Sequence, residues 1–150
     1  MSELNDALCR CLPASTVQVW GDEGYLLEIV ADISVRMTEN HSEFPVGLDL
    51  DVLLDESGDM QAWLLGLACR LSIELSCRTI CDGTGFGDDE SPYWSVVWEH
   101  GVPYLADDSS AEGEGGPVRI VRCIQDVSLK YPARGLTARK RSPGEEHGCE

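Results

Sequence analysis

Residues 91–110, SPYWSVVWEHGVPYLADDSS, decide the fold of this chain because they predict a complete β-hairpin. Two short apolar runs flank His100 and Gly101. Glycine suits a two-residue turn because it adopts positive φ freely, and histidine tolerates positive φ better than most residues. Strands joined by this turn place Glu99 opposite Val102, and Trp94 opposite Asp107. The sequence therefore predicts two antiparallel strands with a defined register.

The end of this hairpin away from the turn carries carboxylates on both sides. Residues just before Tyr93 and just after Ala106 leave the hairpin at the same end, so their acidic neighbours come close together. No lysine or arginine lies between Arg78 and Arg119. We expect an uncompensated anionic patch that binds a basic protein through Asp88, Asp89, Glu90, Tyr93, Asp107, Asp108, Glu112 and Glu114.

Alternation along the first hairpin strand separates its aromatic residues. Trp94 and Trp98 share one face, which we expect to pack in the core, whereas Tyr93 is expected to be exposed. The later stretch PVRIVRCIQDV predicts another strand, whose Arg119 and Arg122 pair with neighbouring acids. A bound cation, the basic tail of the chain or a basic surface on another protein could each offset the remaining repulsion.

The N-terminal half predicts a short helix and a second hairpin. SELNDALCRCL forms the helix, and Pro13 ends it. TVQVW and the stretch from Tyr25 predict antiparallel strands joined by GDEG. Strict alternation in the second strand is typical of a sheet covered on one face, with Tyr25, Leu27, Ile29, Ala31, Ile33, Val35 and Met37 turned inward.

A helix capped by Ser57 is expected to cover this sheet. Its apolar stripe comprises Met60, Trp63, Leu64, Leu67, Ala68, Leu71 and Leu75. The segment before it predicts a short strand or helical turn around residues 48–54. After the helix, CRTICDG predicts a short strand, and GTGFGDDESP predicts a flexible spacer whose acids would repel a phosphate.

Together these elements predict an α+β fold. We expect a single domain with a mainly antiparallel sheet, one face of which is covered by a central helix and a short N-terminal helix. The acidic domain is expected to span residues 1–131. Residues 132–150, PARGLTARKRSPGEEHGCE, lack periodic apolar residues and predict a mobile polar tail.

Charge is the unusual bulk property, because 27 acids oppose 11 bases and the formal net charge is −16. Such a surface repels nucleic acid and membrane lipid but raises the encounter rate with a basic partner, although acidity can also serve solubility alone. The sequence has no apolar run of roughly 18 residues and no signal-peptide pattern, which indicates a cytoplasmic protein. Its seven cysteines are an odd number, so we expect them to be mostly reduced.

The sequence contains none of the common catalytic signatures. It lacks G-x-S-x-G, H-E-x-x-H, C-x-x-C and a P-loop, so we expect a protein that is not an enzyme and has no cofactor. A calcium loop starting at Asp55 fails because its sixth residue is Met60 and its twelfth is Gly66. We therefore expect no metal site.

The order WLLGLACRLSIELSCRTICDG…PYWSVVWEHGVPY, a helix, a short strand, an acidic loop and a hairpin, resembles small bacterial immunity proteins that neutralise a cognate interbacterial toxin. The resemblance covers about Trp63 to Tyr104 and lies in arrangement and acidity. It implies a protein that acts without chemistry, by covering the active site or cofactor cleft of a basic toxin.

The chain is also similar in size, acidity and α/β composition to class I type III secretion chaperones. That alternative implies a homodimer that holds an unfolded effector segment. Those chaperones have the order helix, three strands, helix, two strands, helix. The strand-rich last third of this chain leaves their final helix without a clear counterpart. A small enzyme is the third interpretation.

Overall fold

The helix Met60–Glu74 packs against one β-sheet on each of two sides. The structure is a computed structural model that describes residues 2–12, 16–21, 33–52, 59–110, 116–125 and 127. These residues form an α+β single domain with mostly antiparallel strands, as predicted. Its elements are α1 (Ser2–Cys11), β1 (Val17–Gly21), β2 (Ile33–Glu39), β3 (Val46–Val52), α2 (Met60–Glu74), β4 (Thr79–Asp82), β5 (Trp94–Glu99), β6 (Val102–Asp107) and β7 (Arg119–Cys123).

The first sheet has the strand order β1-β2-β3. Strands β2 and β3 are antiparallel, and the backbone N–H of Asn40 donates to the carbonyl of Pro45 at 2.8 Å to close their connection. Strand β3 confirms the strand alternative for the described part of the predicted segment, residues 48–52. On β2, Ile33 and Val35 are fully buried and Arg36 is exposed, as the alternation predicted, but Ser34, which alternation places on the solvent face, is also buried.

The predicted hairpin of β1 and β2 is wrong, because these strands pair in parallel, with Val17 beside Ile33. Parallel neighbours require a crossover connection, whereas a tight turn such as GDEG joins antiparallel strands only. Alternation identifies a strand and its inner face but carries no information about direction. The connecting residues 22–32, which include Tyr25, Leu27, Ile29 and Ala31, lie outside the described residues.

The second sheet has the order β4-β5-β6-β7, and all its pairs are antiparallel. The predicted hairpin is confirmed in register, since Glu99 pairs with Val102 and Trp94 with Asp107. His100 and Gly101 have φ values of 49° and 81°, as a tight turn of this kind requires. The strands therefore form two separate sheets instead of the one that the sequence suggested.

Helix α2 begins one residue after Asp59, whose side chain accepts a hydrogen bond from the backbone N–H of Ala62 at 3.1 Å. The prediction of Ser57 as the cap is therefore wrong, and Ser57 itself lies outside the described residues. A carboxylate at this position satisfies a free backbone donor and interacts favourably with the positive end of the helix. Met60, expected in the buried stripe, is instead exposed.

Helix α2 is buried on two sides, which explains why its apolar residues cover more than one stripe of the helix surface. One side places Trp63, Leu67 and Leu71 in a core with residues of α1 and β2. The other side places Leu65, Ala68 and Cys69 in a second core with β5 and β6. The predicted stripe contains the residues of the first side and only Ala68 from the second. A helix that covers a single sheet, as the sequence predicts, needs only one buried side.

The described residues include both helices and six of the seven cysteines. Neither helix of the described residues has the length and apolar character needed to cross a bilayer. Cys9 takes part in a disulfide. The thiols of Cys11, Cys69, Cys77, Cys81 and Cys123 are free. The tail predicted for residues 132–150 lies outside the described residues.

Candidate protein-binding site

The predicted site residues that the structure describes lie at the end of the second sheet opposite the His100–Gly101 turn. The backbone N–H of Asp108 donates to the carbonyl of Tyr93 at 3.0 Å, so the chain segments flanking the hairpin stay together there. Asp88 reaches the same sheet through Arg122 on β7, at 3.9 Å. The structure thus brings together the two described groups of acids, as predicted, while Glu112 and Glu114 lie outside the described residues.

The loop between β4 and β5, residues 83–93, carries Asp88, Asp89 and Glu90, and we call it the acidic loop. The amide of Gln61 on α2 donates to the carbonyl of Thr84 at 2.8 Å, and Arg122 donates to the carbonyl of Phe86 at 3.2 Å. Phe86 also packs against the second core. The sequence predicted a flexible spacer here, whereas the structure connects this loop to both α2 and β7.

Trp94 holds the carboxylate of Asp89 in place. Its indole N–H donates to Asp89 Oδ1 at 2.7 Å, and the backbone N–H of Ser91 donates to the same oxygen at 3.0 Å. A Cβ at Gly87 would lie 2.1 Å from the indole nitrogen, so only glycine fits beneath this ring. The acidic loop therefore presents Asp89 in one defined position.

The predicted division of the aromatic residues is confirmed. Trp98 is buried, and Trp94 packs against the second core while its indole N–H reaches the acidic loop. Tyr93 retains 38% exposure beside the acids. An exposed aromatic ring next to charged groups is a common anchor in protein interfaces.

The anionic patch is partly compensated by arginines of the same chain, contrary to the expectation from sequence. Arg119 lies 3.2 Å from Asp107, and Arg122 lies 3.9 Å from Asp88. The prediction that these arginines pair with nearby acids is therefore confirmed. Both arginine side chains are at least half exposed, and ion pairs at the surface contribute about 0–1 kcal/mol to stability.

Hydrogen bonds also keep Asp107 ionised. The hydroxyl and the backbone N–H of Ser109 donate to its carboxylate, the latter at 2.9 Å, and together with Arg119 they lower the pKa of Asp107. Hydrogen bonds to a carboxylate favour its charged form. The patch therefore retains this negative charge even as the pH falls towards the ordinary carboxyl range.

Sequence reasoning missed Asp82, the last residue of β4. Asp82 pairs in register with Ser95, and the hydroxyl of Ser95 donates to Asp108 Oδ2 at 2.5 Å. Asp82 therefore belongs to the same end of the sheet. Extending the strand pairing from the hairpin to CRTICDG would have found it. We define the anionic patch by six carboxylates and two arginines, a net charge of −4, from Asp82, Asp88, Asp89, Glu90, Asp107, Asp108, Arg119 and Arg122.

This arrangement suits recognition of cations on another molecule. Carboxylates accept hydrogen bonds from arginine and lysine side chains, and such charge-assisted bonds are stronger than neutral ones. Among the described residues, no three His, Cys, Asp or Glu side chains are grouped to hold a metal ion. His100 lies at the opposite end of the hairpin and therefore cannot act as a base for chemistry at the patch.

Comparisons of the chain with protein-family models, with curated proteins and with solved structures found no match.

Proposed function

We propose that this protein binds and neutralises a basic protein, in the manner of a bacterial immunity protein, by covering the partner's active site with the anionic patch. The observation that carries the proposal is the excess of four negative charges on a loop and strand ends that are fixed to α2 and β7. Opposite charge on a partner would accelerate the encounter and orient the two surfaces.

The fixed geometry of the acidic loop supports this function. Binding is weakened when loops and side chains must be ordered on association, and preorganised surfaces avoid that loss. Asp89 is already held by Trp94 and by the backbone of Ser91. Glu90 follows it and is exposed, and Tyr93 at the end of the same loop is also exposed.

A partner would compete with Arg119 and Arg122 for two of the carboxylates in the patch. Their guanidinium groups already pair with the carboxylates of Asp107 and Asp88, to which the cations of a partner would also bind. Each exposed pair contributes about 0–1 kcal/mol, so its replacement by a partner's arginine or lysine costs little. Asp82, Asp89 and Glu90 need no such exchange, and we expect them to make the first contacts.

The binding test begins with affinity capture of the partner from the source cell, followed by measurement of association rates for the purified pair. Glu90→Lys should slow association several-fold at low ionic strength. The difference should shrink at about 1 M salt, where the screening length is about 3 Å. Glu99→Lys is the matched control, because it makes the same charge change on an exposed residue at the other end of the hairpin.

Two results would contradict binding through this patch. One is equal slowing by Glu90→Lys and Glu99→Lys, which would indicate a response to total charge alone. The other is unchanged association for Glu90→Lys, which would remove the patch from the interface. Circular dichroism of both variants should match the parent protein, because both residues are exposed and neither contributes to a core.

Neutralisation has its own test. The activity of the captured partner should fall to the background level when one equivalent of this protein is added. The loss should be weaker with Glu90→Lys than with Glu99→Lys at low salt. A captured partner that is not basic, or one that remains fully active in the complex, would contradict the immunity function.

The order of the elements favours the secretion chaperone as a second candidate. The described chain begins with a helix, three strands and a helix, as those chaperones do, and then continues with four strands instead of two. The mass in solution separates the candidates, because the chaperone must be a dimer of this 16.4 kDa chain and must bind an unfolded segment. A monomer that binds only a folded partner would exclude it.

A further inference from the structure

No further inference is drawn: the strongest candidate, the edge strand β7 with its exposed Ile120 and Val121, carries nothing because nothing in the structure shows what covers it.

Discussion

The hydroxyl of Ser72 on α2 accepts a hydrogen bond from the backbone N–H of Gly101, in the turn of the β5–β6 hairpin, at 2.9 Å. The same hydroxyl donates to the carbonyl of Cys69 at 2.7 Å, so it acts both as a hydrogen-bond donor and as an acceptor. Ser72 is fully buried. The tip of the hairpin is therefore attached to the last turns of α2, and the anionic patch lies at the other end of the same hairpin.

Ser72→Ala should destabilise the protein by about 1 kcal/mol, because the N–H of Gly101 would lose its partner inside a packed contact. Urea denaturation measures this change in the free energy of unfolding. Ser110→Ala is the control, since Ser110 is exposed and its substitution should change stability by no more than about 0.5 kcal/mol. Equal stability of the two variants would show that the contact between Ser72 and the turn contributes nothing.

His100→Asn should stabilise the protein. His100 has positive φ, and asparagine should recover part of the roughly 1–2 kcal/mol that a left-handed residue costs. Asn-Gly is also the preferred pair for two-residue turns of this kind. His41→Asn provides the control, because His41 is exposed and its φ is not positive. A midpoint of denaturation that falls for His100→Asn, or rises equally for both variants, would contradict the role given to the turn.

Gly87→Ala should displace the ring of Trp94, because the added Cβ would lie 2.1 Å from the indole nitrogen. The bond from Trp94 to Asp89 would then break, and the crowding should cost about 1–3 kcal/mol. Near-ultraviolet circular dichroism and tryptophan fluorescence report the change in the ring's surroundings. Gly21→Ala is the matched control, because a Cβ there meets no atom within 4 Å. Identical spectra and stability for Gly87→Ala would disprove the packing of Trp94 on this glycine.

The thiols of Cys11 and Cys81 should make the fold less stable at alkaline pH. Burial raises the pKa of Cys11 to about 11 and that of Cys81 to about 12, from an ordinary value of 9.0. Above pH 9.0 these thiols ionise in the unfolded chain but stay protonated in the folded one, so the free energy of unfolding should fall between that pH and about 12. Below pH 9.0 the stabilising contribution is complete.

Denaturation by urea at a series of pH values, with oxygen excluded, measures this decline. Cys81→Ala should make the decline shallower, even though the smaller side chain lowers stability at every pH. Val96→Ala is the control, because it removes apolar volume from the core that Cys81 packs against, removes no thiol, and should lower stability with the slope unchanged. Equal slopes for the parent protein and Cys81→Ala would mean that the pKa of this thiol is the same in the folded and unfolded states.

The hairpin was predictable because its determinants are consecutive in the chain. The turn residues set the register, and the register places Trp94, Asp107 and the flanking acids at one end. The position of α2 was predictable for the same reason, apart from its cap. Four of the predicted site residues, Asp88, Asp89, Asp107 and Asp108, have side-chain partners that the sequence pattern alone did not identify.

The sequence by itself determined the hairpin and its turn, the central helix, and the excess of acids around residues 88–108, because each depends on neighbouring residues. Only the tertiary structure decided that β1 runs parallel to β2, that α2 separates two cores, and that Arg119 and Arg122 of β7 lie against Asp107 and Asp88. These features depend on which distant segments meet. Strand direction and cross-strand ion pairing follow from the path of the chain between elements, which alternation and charge do not encode.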